Sequence, residues 1–299
     1  MRKFITTYLY HLILAIVLGN VLLADSSQAQ SFPDGLIGLS SSEPAVLYSI
    51  NASNGVASPI VVLNGNASIT GLAFLNRTLY GTDLYDFPGD IVSQNAIGSI
   101  STSGIISLLS DQNGSANWHG LAADETNNIL YVIDNNNSDI LTAQFPDGSL
   151  TTIGSGAGIN GSGMEYDDTH GILYAISPDS TLYTVSTETG TANIIGPTGL
   201  PSNSNDIGLA YDECNEILYA NHGPLRQLFI LDVTTGAATL VGSNGVDAVI
   251  DGLAWKGPCG PGSGPNPIPT LSEWGMISMA GILGLFGLFA ALRRRKATA

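Results

Sequence analysis

Three observations predict an all-β protein whose repeated sheets close into a five-bladed β-propeller. A glycine opening an apolar strand recurs at Gly71, Gly120, Gly163, Gly208 and Gly252, within ITGLAF, WHGLAAD, GSGMEYD, DIGLAYD and IDGLAW. The intervals of 49, 43, 45 and 44 residues suit one four-stranded unit per copy. Between these anchors, short apolar strands alternate with Gly, Asn and Asp turns. Finally, the ends of the repeat region are offset. The first copy lacks a Gly-anchored strand, and the last copy is nothing but one.

Residues 206–242 are the clearest unit: an apolar run ending in Tyr211-Asp212, Leu218-Tyr219, an alternating strand around Leu228-Phe229, a Thr-Thr-Gly turn and a last short strand. A single such sheet leaves both faces wet, so copies must pack on each other. The Leu-Tyr landmark returns at Leu79-Tyr80, Leu130-Tyr131 and Leu173-Tyr174. The third strand falls at Ile97 to Ile100, Ile140-Leu141 and Leu182-Tyr183. Turns at Gly104, Gly148, Gly190 and Gly236 ask for positive φ, which costs glycine little. The repeated Tyr131, Tyr174 and Tyr219 suit a core between blades. Strands at Leu36 to Leu39, Val46 to Ile50 and Ile60 to Leu63 make a three-stranded first copy. Ile250 to Trp255 is expected to supply its missing innermost strand, a strand-sharing closure that removes the exposed edge of an open array. An open solenoid or a sandwich would leave the offset ends unexplained.

Hydrophobic residues make up 44% of the 299 residues and charged ones only 11%, which reads as an exported all-β chain rather than a disordered one. The start combines Arg2 and Lys3, an apolar run from Leu12 to Ala24 and Ser27-Gln28-Ala29, the pattern of a signal peptide over 1–29. The propeller is placed over 31–256 and a Gly/Pro linker over 257–267. Met276 to Leu292 is uncharged and is followed by Arg293, Arg294, Arg295 and Lys296, as in a transmembrane helix over 276–292 with its basic end in the cytoplasm. Between Ser31 and Pro267, three basic residues face 23 acidic ones, a formal charge of −20. Such a surface excludes nucleic acid as a partner and suits cations or cationic ligands.

Ahead of the apolar span stand Ile268, Pro269, Thr270 and Leu271, then Trp274 and Gly275. With the span and the Arg-rich end, residues 268–299 resemble the IPTL-CTERM sorting tail, a relative of the PEP-CTERM tails of Gram-negative bacteria. The resemblance implies an exosortase-like membrane protease as partner, an inner-membrane-anchored precursor, and delivery to the periplasm, cell surface or extracellular matrix. A permanent single-pass anchor needs the same span.

Cys214 follows the first strand of its copy and Cys259 the closing strand, so both fall at one end of neighbouring blades. A disulfide between them would close about 46 residues and contribute on the order of 4 kcal/mol. Two thiols alone are too few to hold zinc.

Propellers bind ligands where inner strands enter the central channel, so the residues before each anchor are the first candidates. They are Thr70, Trp118 with His119, Ser162, Asp206 and Asp251. Asp206 and Asp251 hold near-equivalent places and suit Ca²⁺ or a cationic or sugar ligand; alternatively they accept backbone hydrogen bonds within turns. Asp83, Asp86 and Asp90 form an acidic loop in the longest insertion, Thr82 to Asn95. The run from Asp134 to Asp139 has calcium-loop oxygens but lacks the sixth-position glycine and closing glutamate. His119, His170 and His222 fall at different parts of the repeat. No nucleophile elbow or phosphate loop is present, so a catalytic set is not expected. The reading is an exported binding module for an extracellular protein or polysaccharide. The alternatives are a metal-dependent enzyme of the lactonase or lyase type, on fold analogy alone, and a purely structural matrix component.

Overall fold

The computed structural model describes residues 31–257 apart from 42–43, 65–70, 83–95, 112–117, 136–138, 145–147, 155–158, 160 and 203–205. The signal-peptide region, the acidic loop of Asp83, Asp86 and Asp90, Cys259 and the sorting tail lie outside the described residues.

The chain begins with β1 (Gly35–Ser40), β2 (Val46–Ile50) and β3 (Ala57–Val62). Next come β4 (Gly71–Leu75), β5 (Thr78–Thr82), β6 (Ala96–Ile100) and β7 (Ile106–Asp111), then β8 (Trp118–Asp124), β9 (Ile129–Asp134), β10 (Asp139–Gln144) and β11 (Ser149–Gly154). They are followed by β12 (Gly163–Asp167), β13 (Ile172–Ile176), β14 (Thr181–Val185) and β15 (Ala192–Pro197), then β16 (Ile207–Asp212), β17 (Ile217–His222), β18 (Gln227–Leu231) and β19 (Ala238–Ser243), and finally β20 (Ile250–Lys256). Four antiparallel sheets, beginning at β4, β8, β12 and β16, are each built from four consecutive strands. The fifth has the order β20-β1-β2-β3, so the last strand completes the first sheet. The arrangement is propeller-like.

Every sheet buries both faces against its neighbours, in five apolar clusters. One joins the β1 and β4 sheets, with Ile37, Leu47, Leu72 and Leu79. The next join β4 to β8, β8 to β12 and β12 to β16. The fifth returns from β16 to the shared sheet, with Ala210, Leu228, Leu36 and Leu253. Inner strands are buried almost throughout.

The anchor glycines are required by close approach of the inner strands. A β-carbon at Gly71 would lie 2.6 Å from Leu121 N, and one at Gly120 3.0 Å from Met164 N. Gly163 and Gly208 face the backbone carbonyls of Ile207 and Asp251 in the same way, while Gly252 meets the Leu72 side chain at 3.1 Å. Each anchor therefore touches the next inner strand, and the last returns to the first.

The aromatic residues repeat this step. Three residues after an anchor, Tyr166, Tyr211 and Trp255 receive Tyr131, Tyr174 and Tyr219 of the preceding sheet at centroid distances of 5.7, 6.1 and 6.0 Å. Such ring pairs contribute about 0.5–1.5 kcal/mol each beyond their burial. The outer strands share a feature that alternation alone does not reveal, since each carries a β-bulge that leaves Ile60, Leu109, Ile153, Ile195 or Val241 unpaired in the ladder. All five of those side chains pack against the core clusters. The bulge thus lets the exposed edge strand contribute an apolar side chain inward.

Closure of the shared sheet combines the β1–β20 ladder with buried amides. Asn221 Nδ2 donates to Ile250 O at 2.6 Å, and Asn244 Nδ2 donates to Asn221 Oδ1 at 3.0 Å and to Gly55 O at 3.1 Å.

Candidate functional site

The two ends of the inner strands form two chemically distinct mouths. At the entry mouth, where inner strands begin, lie His119, Ser162, Asp206 and Asp251. Asp251 occupies a bulge: Leu39 pairs with Gly252 and Ser40 with Ile250, so Asp251 has no ladder partner. Gly120 sits in a second bulge between His119 and Leu121, at φ 65°. Bulges of this kind re-aim the neighbouring side chains.

Asp251 is 3% exposed, and its Oδ1 has no hydrogen-bond partner. Burial pushes its carboxyl up to about 7; hydrogen bonds from Ser41 oppose the rise and the charge of Asp206 adds to it. From the strands packed against β20, β4 brings no ionisable group, β1 brings Asp34 ahead of its start, β16 brings Asp206 ahead of its start and Tyr211 and Asp212 at its far end, and β17 brings Tyr219 and His222. Burial lowers the pKa of His119, with Asp206 pulling the other way, so the imidazole is held toward its neutral form. His119 belongs to the β8 sheet and Asp206 precedes β16, and the β12 sheet stands between them around the ring. Thr82, at the end of β5 beside Gly71, contributes a second buried oxygen without a partner.

Of the sequence candidates, Asp206, Asp251 and His119 lie at the same end of their inner strands, and the charge of Asp206 acts on both of the others. Trp118 is 1% exposed and packs with Leu121 and Leu75 between sheets, a core residue rather than a ligand platform. Ser162 staples neighbouring sheets, accepting from Ile207 N at 3.0 Å. His222 is buried at the end of β17, where its Nδ1 accepts from Leu225 N at 3.3 Å. His170 is exposed at the opposite mouth. Among the described residues, no group of three or more His, Cys, Asp or Glu is placed to hold a metal ion. Asp206, Asp251 and His119 accordingly do not form a metal-holding group.

At the turn mouth, where inner strands end, acids are more numerous and are engaged. Asp124, Asp167 and Asp212 close the turns that follow them: Asn127 N donates to Asp124 at 2.8 Å, His170 N to Asp167 at 2.9 Å and Cys214 N to Asp212 at 3.0 Å. The next residue in each copy reaches to the neighbouring sheet. Glu125 N and Thr126 N donate to Asp168 at 3.3 and 3.2 Å, and Asp168 N donates to Glu213 at 2.8 Å. Thr169 Oγ1 adds a 2.7 Å bond to Glu213. Burial raises the Asp168 carboxyl to about 6 against these amides, with Asp124 and Glu125 adding repulsion. Glu165, where four other copies have alanine, is 9% exposed and raised well above the ordinary range by burial. Sequence reasoning missed this relay. The signal was present, as the acid immediately after the Asp that ends an inner strand in three consecutive copies.

The C-terminal residues 266–295 match the IPTL-CTERM motif family. That match implies an exported chain with a membrane-anchored precursor, processed by an exosortase-type system. No curated protein matches the chain. Among solved structures, it is similar to one from a nidogen/laminin complex, at 14% identity and a TM-score of 0.53, over 75% of this chain and 98% of that one. It is also similar to a structural-genomics protein of unknown function from Bacteroides thetaiotaomicron, at 13% identity and a TM-score of 0.50, over 77% of this chain and 66% of that one. At such identities the likeness is one of fold.

Proposed function

We propose that this protein is an exported binding module, delivered to the cell surface or extracellular matrix by its C-terminal tail, that takes its ligand at the entry mouth of a five-bladed propeller. The observation that carries the reading is the buried Oδ1 of Asp251, without a hydrogen-bond partner among the described residues, on a carboxyl that feels the charge of Asp206. A buried polar atom left without a partner costs about 1–3 kcal/mol, a cost that a ligand donor relieves. The signal peptide over 1–29 and the span over 276–292 belong to the same reading, as does cleavage at the Ile268 to Gly275 motif. A Cys214–Cys259 disulfide would tie the closing strand to the neighbouring sheet; among the described residues there is no free cysteine. A protein-binding role has a precedent in the fold, since one structural neighbour comes from a complex between two proteins.

The test is retention. The full chain and an Asp206→Asn/Asp251→Asn variant are expressed in a bacterium with an exosortase-type system, and the surface and matrix fraction is compared with the medium. The wild type is expected in the matrix fraction and the variant, equally exported, in the medium. Equal retention of both would remove the mouth as the binding face. Trp274→Ala tests delivery separately: the expected result is a precursor held in the membrane fraction.

A further inference from the structure

At the turn mouth, the β12 sheet carries titratable groups where its neighbours carry inert ones. Two residues after an anchor, Ala73, Ala122, Ala210 and Ala254 each pack in the cluster that joins their sheet to the next. The β12 sheet has Glu165 in that place, 9% exposed at the seam with the β16 sheet, and its Oε1 accepts from Tyr166 N of its own strand at 3.1 Å. The turn that follows differs as well. Asn127 Nδ2 and Asn215 Nδ2 donate to the aspartates that end their inner strands, at 2.8 and 2.7 Å, whereas in the β12 sheet His170 Nδ1 makes that contact with Asp167 at 2.8 Å. Across the same seam Asp168 N donates to Glu213 at 2.8 Å and Thr169 Oγ1 at 2.7 Å. We propose that the seam between the β12 and β16 sheets is a pH-sensitive joint, closed when Glu165, Asp168, Glu213 and His170 hold their protons and loosened when they release them.

Charge sets the direction. Burial raises Glu165, Asp168 and Glu213 against the amides that favour their ionised forms; Glu213 and Asp168 add repulsion to Glu165, and Asp168 adds it to Glu213. His170 is raised by its hydrogen bond to Asp167 and by that charge, with Glu216 and Glu213 adding to the pull. Of the elements packed against β12, β4 brings no ionisable group and β13 brings Tyr174. The β8 strand brings His119 at its far end and Asp124 with Glu125 here, while β16 brings Asp206 before its start and Tyr211, Asp212, Glu213 and Glu216 here. From β9, Tyr131 meets Tyr166. Burial raises these tyrosines, so they stay neutral. Arg77 acts on Glu125. The Asp168 contribution is fully present below its ordinary 3.8 and is lost as pH rises through about 6. That of His170 is fully present below its ordinary 6.5 and is lost as pH rises through its raised value. Both run the same way, so acid tightens the seam and rising pH loosens it. An exported chain meets external pH directly, and the joint makes this side of the ring responsive to it.

The experiment is amide hydrogen exchange, read by mass spectrometry, on the full chain in mild detergent at pH 5 and pH 8, with each rate divided by the intrinsic rate at that pH. The reporters are peptides spanning residues 166–171 and 211–216, and the reference is residues 71–82. Between pH 5 and pH 8 the seam is expected to lose at least about tenfold in protection relative to the reference, the change that one unit of pKa difference produces. Glu165→Ala/His170→Asn installs the residues of the neighbouring sheets and, with folding checked by its melting curve, is expected to cut that loss to about threefold or less. Should the double variant not fold, His170→Asn alone carries the test and is expected to reduce the loss between pH 6.5 and pH 8. Equal protection of the wild-type seam at both pH values, an equal loss in seam and reference, or an unchanged loss in the folded variant would each overturn the proposal.

Discussion

The two mouths of the propeller use their acids in opposite ways. At the turn mouth, Asp124, Asp167 and Asp212 hold their own turns, and Asp168 and Glu213 accept amides from the neighbouring sheet. There the carboxylates substitute for missing ladder partners where strands end, and their role is structural. At the entry mouth the ladder is interrupted by bulges, and Asp251 is buried with an oxygen that nothing satisfies. The difference teaches that an acidic rim is not informative by composition. What separates a stapling acid from a candidate ligand group is whether the protein has already filled its acceptors.

The largest effect that would break the comparison comes from the anchors that set both mouths. Gly208→Ala would press a methyl group into the β20 backbone, with Leu253 N at 2.7 Å, and should destabilise by about 3 kcal/mol or more, read as an early chemical-denaturation midpoint. The sharper tests act on one mouth at a time. Burial pushes the Asp251 carboxyl from an ordinary 3.8 up to about 7 in the folded state, so between these values the folded state holds a proton that the unfolded state gives up. This contribution therefore favours folding least above about pH 7 and stops opposing it below about pH 4. Asp251→Asn should flatten that slope and raise stability at neutral pH by on the order of 2–4 kcal/mol while removing binding. At the turn mouth the expectation is reversed. Glu213→Ala leaves Asp168 N and Thr169 Oγ1 without their acceptor and should cost about 1–2 kcal/mol with retention unchanged. The smallest expected change is Glu165→Gln, which replaces a carboxyl whose ionisation burial opposes and should raise stability at neutral pH by about 1 kcal/mol or less, seen as a small upward shift in melting temperature.

Much of the architecture was legible because its causes are local and repeated. The anchor glycines mark the points where inner strands touch, and the tyrosines after each leucine mark the ring pairs between sheets. The offset ends pointed to the pairing of β20 with β1. The outer-strand bulges were not legible, since Ile153 or Val241 in an alternating run gives no sign that it skips the ladder. The site was half legible. Position before an anchor singled out Asp206, Asp251 and His119, but the same rule also picked Trp118, which the β4–β8 interface buries. The bulge that removes Asp251 from the ladder, and the orphaned hydroxyl of Thr82, depend on how distant strands register and have no sequence signature.

The most direct test of the contrast is a paired measurement on wild type and Asp251→Asn: melting temperature at neutral pH together with retention in the matrix fraction. A variant that melts higher and is lost to the medium is the predicted result, because it gives up a cost borne for binding. A variant that melts lower and is retained would show Asp251 to be a structural acid like those of the turn mouth, and would contradict the assignment of function to the entry mouth.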